Sequence, residues 1–342
     1  MKLGRYASRT DPGRKRRHNE DSFVVQPPLF AIADGMGGAQ AGEIASALAA
    51  GALAEASANG GGEPRVVELI QEANRRVHHR ASTDPATTGM GTTITVAIVE
   101  DDGTLTFGHV GDSRAYRLRN NRLEQITDDH SLVAELVRRG ELSPAEAEVH
   151  PQRSVITRAL GTDPDVDVDA FSIRPEAGDL YLICSDGLSD MVTGETIEKI
   201  VRAHRDDLDE AARALVRAAN QGGGDDNITA VLFEIVDGDG DRPAGEPDER
   251  TRELQVVSHD EEDTLHPEDG VAPPPRASEA VGEAVSPVDT MVVPAAEIAP
   301  PVAGDAQADS PEAGLGRRFL ALLVIAALIA VIVVLVLWGL AR

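Results

Sequence analysis

Five segments of the chain set a carboxylate beside glycine or another small residue at the end of a strand-like run. They are Arg16-Arg17-His18-Asn19-Glu20-Asp21, Ala33-Asp34-Gly35-Met36-Gly37-Gly38, Gly111-Asp112-Ser113-Arg114, Ser185-Asp186-Gly187-Leu188-Ser189-Asp190, and Gly222-Gly223-Gly224-Asp225-Asp226-Asn227. One such turn is common, and five in one domain are not explained as turns alone. Brought to one place, these carboxylates would repel one another unless cations sat between them. Oxygen ligands without a Cys or His set favour Mg2+ or Mn2+ over zinc. A pair of such ions lowers the pKa of a bridging water and clamps a phosphoryl group for in-line displacement. Arg16 adds a planar donor fork suited to phosphate oxygens.

The elements that must position these acids are legible from periodicity. Strands are expected over 22–26, 29–33, 92–100, 105–110, 115–119, 166–173, 180–185 and 228–236. Asp102-Gly103 reads as a two-residue hairpin turn, and Asn120-Asn121 as a second. Helical patterns cover 41–58, 64–81, 131–139, 144–150, 196–204 and 208–221, with Ser143 a good N-cap before Pro144. Helix pairs follow the first and the last strands, and hairpins fill the middle. This is not regular βαβα alternation, and it predicts an α+β fold of antiparallel sheets packed together with helices outside.

Of 342 residues, 58 are acidic and 32 are Lys or Arg, a formal charge of −26, so nucleic acid is a poor partner. The one cysteine, Cys184, excludes an intramolecular disulfide and a cysteine-cluster metal site. It lies in an apolar run with no adjacent base to lower its pKa, and reads as a buried thiol rather than a nucleophile. Residues 1–236 read as one folded unit. Residues 237–318 are rich in Pro, Ala and acids and read as a disordered, self-repelling linker. Two short stretches in it, Glu261-Glu262-Asp263-Thr264 and Pro287-Val288-Asp289-Thr290-Met291-Val292-Val293, set threonine after acid. Residues 319–340 are uncharged, almost wholly apolar and long enough to cross a bilayer as one helix. Arg317 and Arg318 at its N-terminal edge, with no signal-peptide core at the N-terminus, predict a single-pass cell-membrane protein whose folded domain is cytoplasmic.

In their order and spacing these motifs (RxxNED, ADGMGG, MGTT at Met90–Thr93, GDSR, SDGLSD and GGxDN) resemble the type 2C metal-dependent protein serine/threonine phosphatases, the PPM family, and its bacterial branch in particular. The resemblance covers residues 3–236. It implies an αββα sandwich of two antiparallel sheets flanked by helix pairs. It also implies hydrolysis of phosphoserine or phosphothreonine by metal-activated water without a phosphoenzyme. By motif, Asp34 would bridge two core Mn2+ or Mg2+ ions, Asp186 and Asp226 would complete the first site, and the Gly35 carbonyl would serve the second, with Glu20 and Asp21 binding it directly or through water. Asp112 and Asp190 match acids that hold a third, weaker ion. Arg16 would hold the substrate phosphate, Asn227 would orient the Asp226 region, and 128–161 would form a mobile flap. Phosphoproteins, Hanks-type kinases and their substrates are the implied partners. Two other readings are a catalytically weak phosphoprotein-binding module and an anti-sigma-factor-antagonist phosphatase. The chain departs from some eukaryotic members in placing Met36 where they carry a proposed histidine acid, and in placing Asp225 before Asp226. His109, within a strand, reads as structural.

Overall fold

The computed structural model describes residues 1–37, 41–56, 61–238 and 291–292, all within one compact unit, Met1–Ala295. In chain order the strands are β1 (Lys2–Asp11), β2 (Asp21–Gln26), β3 (Leu29–Met36), β4 (Gly91–Thr92), β5 (Ile94–Val99), β6 (Leu105–Val110), β7 (Arg114–Arg119) and β8 (Arg122–Gln125). They continue with β9 (Val155–Ile156), β10 (Asp169–Ile173), β11 (Leu180–Cys184), β12 (Ile228–Val236) and β13 (Met291–Val292). The helices are α1 (Ala41–Glu55), α2 (Gly62–Thr83), α3 (Leu132–Arg138), α4 (Pro144–Glu148), α5 (Asp186–Ser189), α6 (Gly194–Ala203) and α7 (Leu208–Gly222).

Two antiparallel sheets result, one ordered β1-β12-β11-β7-β8 and the other β10-β6-β5-β3-β2, with β4 paired to β3. The central strands β3, β5, β11 and β12 are apolar on both faces, as they must be when each sheet is covered twice. One face of each sheet meets the other sheet through Phe30, Ile32, Phe107, Tyr181, Val231 and Phe233. The few aromatic residues concentrate there: Phe30 stacks on Phe233 at 4.5 Å between centroids, and Phe233 on Tyr181 at 5.2 Å. The outer faces are covered by α1 and α2 on one side and by α6 and α7 on the other, each with its own apolar cluster. The expected αββα sandwich is therefore the observed one.

Helix starts follow local capping chemistry. Ser131, Thr193 and Asp207 each accept a backbone N–H from the first turn of α3, α6 and α7. Ser143 and Glu146 form a reciprocal capping box that starts α4 behind Pro144.

Four departures from the sequence reading have physical causes. β1 is absent from that reading because Lys2–Asp11 alternates polar residues and joins the sheet at its edge, with a register shift between Leu3 and Tyr6. The expected strand 92–100 breaks at Thr93, which turns away from the ladder to bind Asp34. The expected strand 166–173 begins only at Asp169, because the Val166 carbonyl is taken by Gln71 Nε2 at 2.6 Å. The Asp102-Gly103 turn is one residue longer than expected: Gly103 N–H donates to Glu100 O at 2.9 Å, and Gly103 takes the left-handed position with φ 80°. The Asn120-Asn121 hairpin is as expected, with φ 52° and 63°.

The expected membrane span at 319–340 lies outside the described residues; among the described residues no helix is long and apolar enough to cross a membrane. Of the segment 237–318, read as linker, the described residues include only 237–238 and β13, which runs parallel to β9 as a two-residue strand in a stretch expected to have none.

Candidate metal and phosphate site

The six aspartates singled out from sequence reach one end of the sandwich from both sheets. Asp21 opens β2 and stands opposite Asp34 in the β2–β3 ladder. Asp112 lies in the tight turn between β6 and β7, Asp186 opens α5 directly after β11, Asp190 ends that helix, and Asp226 sits in the loop before β12. Their proximity is electrostatic as well as topological. Loss of water, then the charges of Asp21, Asp186, Asp226 and Asp112, hold the Asp34 carboxyl well above the usual carboxylate range. Burial, then Asp112, Asp226, Asp190 and Asp21, do the same to Asp186. Asp112 is pushed up to about 7 by burial and by Asp129 and Asp190. Glu20, partly exposed at the mouth, is raised by burial, with Asp226 adding to the shift.

Hydrogen bonds fix the scaffold of this cluster. Asp21 Oδ2 accepts from Ser185 Oγ at 2.9 Å and Thr229 Oγ1 at 2.5 Å, which joins β2 to the ends of β11 and β12. The backbone of Asp34 is clamped by the threonines of the MGTT motif. Thr92 Oγ1 and Thr93 N each donate to Asp34 O at 2.8 Å, and Asp34 N donates to Thr93 Oγ1 at 3.1 Å. Asn227 spans the mouth: its Oδ1 accepts from Glu20 N at 2.8 Å, while Nδ2 donates to Pro12 O at 3.0 Å and His18 O at 2.9 Å. Gly35 is required for a second reason besides its carbonyl. A Cβ there would fall inside the contact radius of the Gly42 carbonyl oxygen and 2.6 Å from Glu20 O, so α1 packs on this residue directly.

Arg16 Nη2 donates to Asp226 Oδ2 at 2.8 Å, which puts the expected phosphate-holding guanidinium inside the carboxylate cluster. Asp225, which sequence alone marked as surplus negative charge, is paired with Lys15 Nζ at 2.8 Å. Asp190 is the outermost of the six and lies 3.6 Å from Arg153 of the 128–161 segment.

The donor set suits hard divalent cations. Among the described residues, no three His, Cys, Asp or Glu side chains already close on a common point. Yet Asp21 Oδ1 and Asp112 Oδ1 are buried without a hydrogen-bond partner. A buried carboxylate oxygen left without a donor is costly, and a cation satisfies it. The crowding of like charges that raises Asp34 and Asp186 is relieved in the same way.

Several groups are removed from the reaction. Cys184 is fully buried, with its thiol pushed up to about 12 by burial. His109 is fully buried and lowered to about 3 by burial and by His130, with both ring nitrogens engaged, by Thr95 Oγ1 at 2.9 Å and Asp128 O at 3.2 Å. Met36 packs with Ile156 and Ala159 of the 128–161 segment. Sequence reasoning missed the hydroxyls of Ser185 and Thr229 and the partner of Arg114, which chelates Asp129 through Nε and through Nη2 at 2.6 Å. The GDSR motif named Arg114, but only the fold supplies Asp129.

The protein phosphatase 2C family model matches residues 14–232. A curated protein of Mycobacterium tuberculosis, serine/threonine protein phosphatase PstP, is 43% identical over 238 residues, 69% of this chain and 46% of its own length. This chain thus spans about half the length of that curated relative. Serine/threonine phosphatase stp of Listeria welshimeri is 41% identical over 238 residues, 66% of this chain and 94% of its own length. A crystal structure of the catalytic domain of PstP in complex with two manganese ions superposes with a TM-score of 0.62 at 38% identity, covering 69% of this chain and 99% of that one.

Proposed function

The chain belongs to the protein phosphatase 2C family, and from that premise we propose that it is a metal-dependent hydrolase of phosphoserine and phosphothreonine in proteins. The observation that carries the proposal is the convergence of Asp21, Asp34, Asp112, Asp186 and Asp226 at one sheet end with Arg16 bound to Asp226. The two relatives, both named serine/threonine phosphatases, and the manganese bound by the PstP domain support it.

Asp34, Asp186, Asp226 and the Gly35 carbonyl would hold two Mn2+ or Mg2+ ions, with Glu20 and Asp21 supporting the second; Asp112 and Asp190 would hold a third more weakly. When bound, the ions supply Lewis acidity and the positive charge that lets these carboxylates stay ionised together. The protein's own residues do the rest. Ser185 and Thr229 aim Asp21, and Thr92 and Thr93 fix the Asp34 backbone. Asn227 ties the Arg16 loop to β12, so the guanidinium meets the phosphate from a braced position. Arriving phosphate offers Arg16 an anionic partner beside the one it holds in Asp226. No cysteine or serine nucleophile is needed, which agrees with the inert Cys184.

The segment at 319–340 would anchor the chain in the membrane with residues 1–236 on the cytoplasmic side, where membrane-bound serine/threonine kinases and their substrates would be its partners. The direct test is hydrolysis of a phosphothreonine peptide by the full chain. Turnover should require Mn2+ or Mg2+, stop with chelator and leave no phosphorylated protein; chelator-resistant turnover would overturn the proposal.

A further inference from the structure

The loop that carries Arg16 also carries Arg14, Lys15 and Arg17, the only run of four cations in a chain whose formal charge is −26. Single-residue function does not account for it, because the site uses Arg16 alone. Lys15 is paired with Asp225. Arg14 and Arg17 are exposed, and among the described residues neither guanidinium has a hydrogen-bond or ion-pair partner.

The loop is held firmly against the site. Arg14 N and Lys15 N both donate to Gly224 O, at 2.7 and 3.2 Å, and Asn227 Nδ2 grips the carbonyls of Pro12 and His18 at either end. Gly13 has φ 76°, and a Cβ on it would strike the Asp226 carbonyl oxygen, so the loop lies directly on the last acidic motif. The backbone is thus pinned at Pro12, Arg14, Lys15 and His18, and the exposed Arg14 and Arg17 stand before and after Arg16 on that pinned loop. Cations placed at the mouth of an acidic molecule form a local attractive field for anions.

We propose that Arg14 and Arg17 form a substrate-selecting rim that favours phosphopeptides with acidic residues next to the phosphorylated threonine or serine. The inference rests on the phosphatase reading above and assigns its substrate class. The chain's own Glu261-Glu262-Asp263-Thr264 has the composition the rim selects and supplies a probe sequence.

The test uses the full chain with Mn2+ and three phosphothreonine peptides: Glu-Glu-Asp before the phosphothreonine, Ala-Ala-Ala in its place, and Lys-Lys-Lys in its place. p-Nitrophenyl phosphate, which has no flanking residues, is the control. The wild-type chain should prefer the acidic over the Lys peptide by about tenfold or more in kcat/KM, the effect of two exposed ion pairs of ordinary strength. The preference should shrink as salt rises. Arg14→Ser with Arg17→Ser should abolish most of it while leaving p-nitrophenyl phosphate turnover within about twofold, and Arg14→Glu with Arg17→Glu should reverse it. Equal kcat/KM on all three peptides, or a preference that survives the double substitutions, would overturn the rim. Failure of the wild-type chain to hydrolyse p-nitrophenyl phosphate would instead overturn the phosphatase reading.

Discussion

Asp21 and Asp34 face each other across the β2–β3 ladder, both carboxyls shifted upward, with Asp21 at about 6. Two acids held this close by a hydrogen-bonded ladder cannot both ionise cheaply without a cation. Asp34→Asn removes one charge and keeps the shape. It should lower Mn2+-dependent hydrolysis of a phosphothreonine peptide by at least about a hundredfold, more than loss of an outer-shell partner costs. The same variant should melt at a higher temperature than the wild-type chain when both are metal-free at pH 8. Turnover near wild type would remove Asp34 from the metal site.

The pH dependence of the metal-free protein follows from the same cluster. Asp21 is raised to about 6 by burial, against hydroxyl donors that lower it, and Asp112 to about 7 by burial and its acidic neighbours. A carboxylate whose folded pKa exceeds its unfolded value of about 4 binds its proton more tightly in the folded state. Its penalty is absent below about pH 4 and complete above about pH 7, so metal-free stability should fall as pH rises through that window. Saturating Mn2+ should remove or invert the trend. Thermal melts from pH 4 to 8 with and without Mn2+ read this directly; a metal-free melting temperature that climbs from pH 5 to 8 would contradict it.

Ser185 and Thr229 should act through Asp21 rather than on substrate. Replacing Thr229 with Val or Ser185 with Ala deletes a donor to Asp21 Oδ2. Either change should weaken Mn2+ affinity by roughly 10–100-fold, the usual cost of a lost outer-shell partner. At saturating Mn2+ the KM for peptide should stay near wild type. Calorimetric titration of Mn2+ into the metal-free variants separates this from a general loss of fold.

These hydroxyls also show where sequence stops being readable. The acids were legible because carboxylates beside glycine at strand ends carry a local signature. Ser185 and Thr229 carry none: each meets Asp21 only because β11 and β12 bring residues 164 and 208 positions away to the start of β2. Arg114 and Asp129 find each other around the β7–β8 hairpin in the same nonlocal way. The central apolar strands and the capped helices were readable for the opposite reason, since period and caps are written within a few residues. β1 was not, because an edge strand of alternating polar residues looks like a loop until β12 is beside it.

Asn227 is the brace of the Arg16 loop. It is buried, and its amide satisfies one donor and two acceptors at Glu20, Pro12 and His18. Asn227→Ala leaves all three without that partner, and should cost on the order of 2–4 kcal/mol of stability. At a temperature where the variant remains folded, the peptide KM should rise several-fold, because Arg16 is no longer held over Asp226. An unchanged KM would mean that the loop is positioned by Gly224 alone.

The apolar clusters assign all the described packing to residues before Asp237. The two outer cores and the inter-sheet core draw on the two sheets and on α1, α2, α5, α6 and α7, and β12 ends at Val236, paired with β1 at both ends across one register shift. A chain ending at residue 238 therefore keeps every member of the cores formed by the described residues. It should fold with a melting temperature within a few degrees of the full chain and hydrolyse p-nitrophenyl phosphate at the same rate. If 319–340 anchors the protein, the full chain should sediment with membranes and resist extraction by salt, while both the 1–238 and 1–318 forms should stay in the supernatant. Loss of activity in the 1–238 form would make residues beyond Gly238 part of the catalytic fold, with the β9–β13 pairing the first place to look.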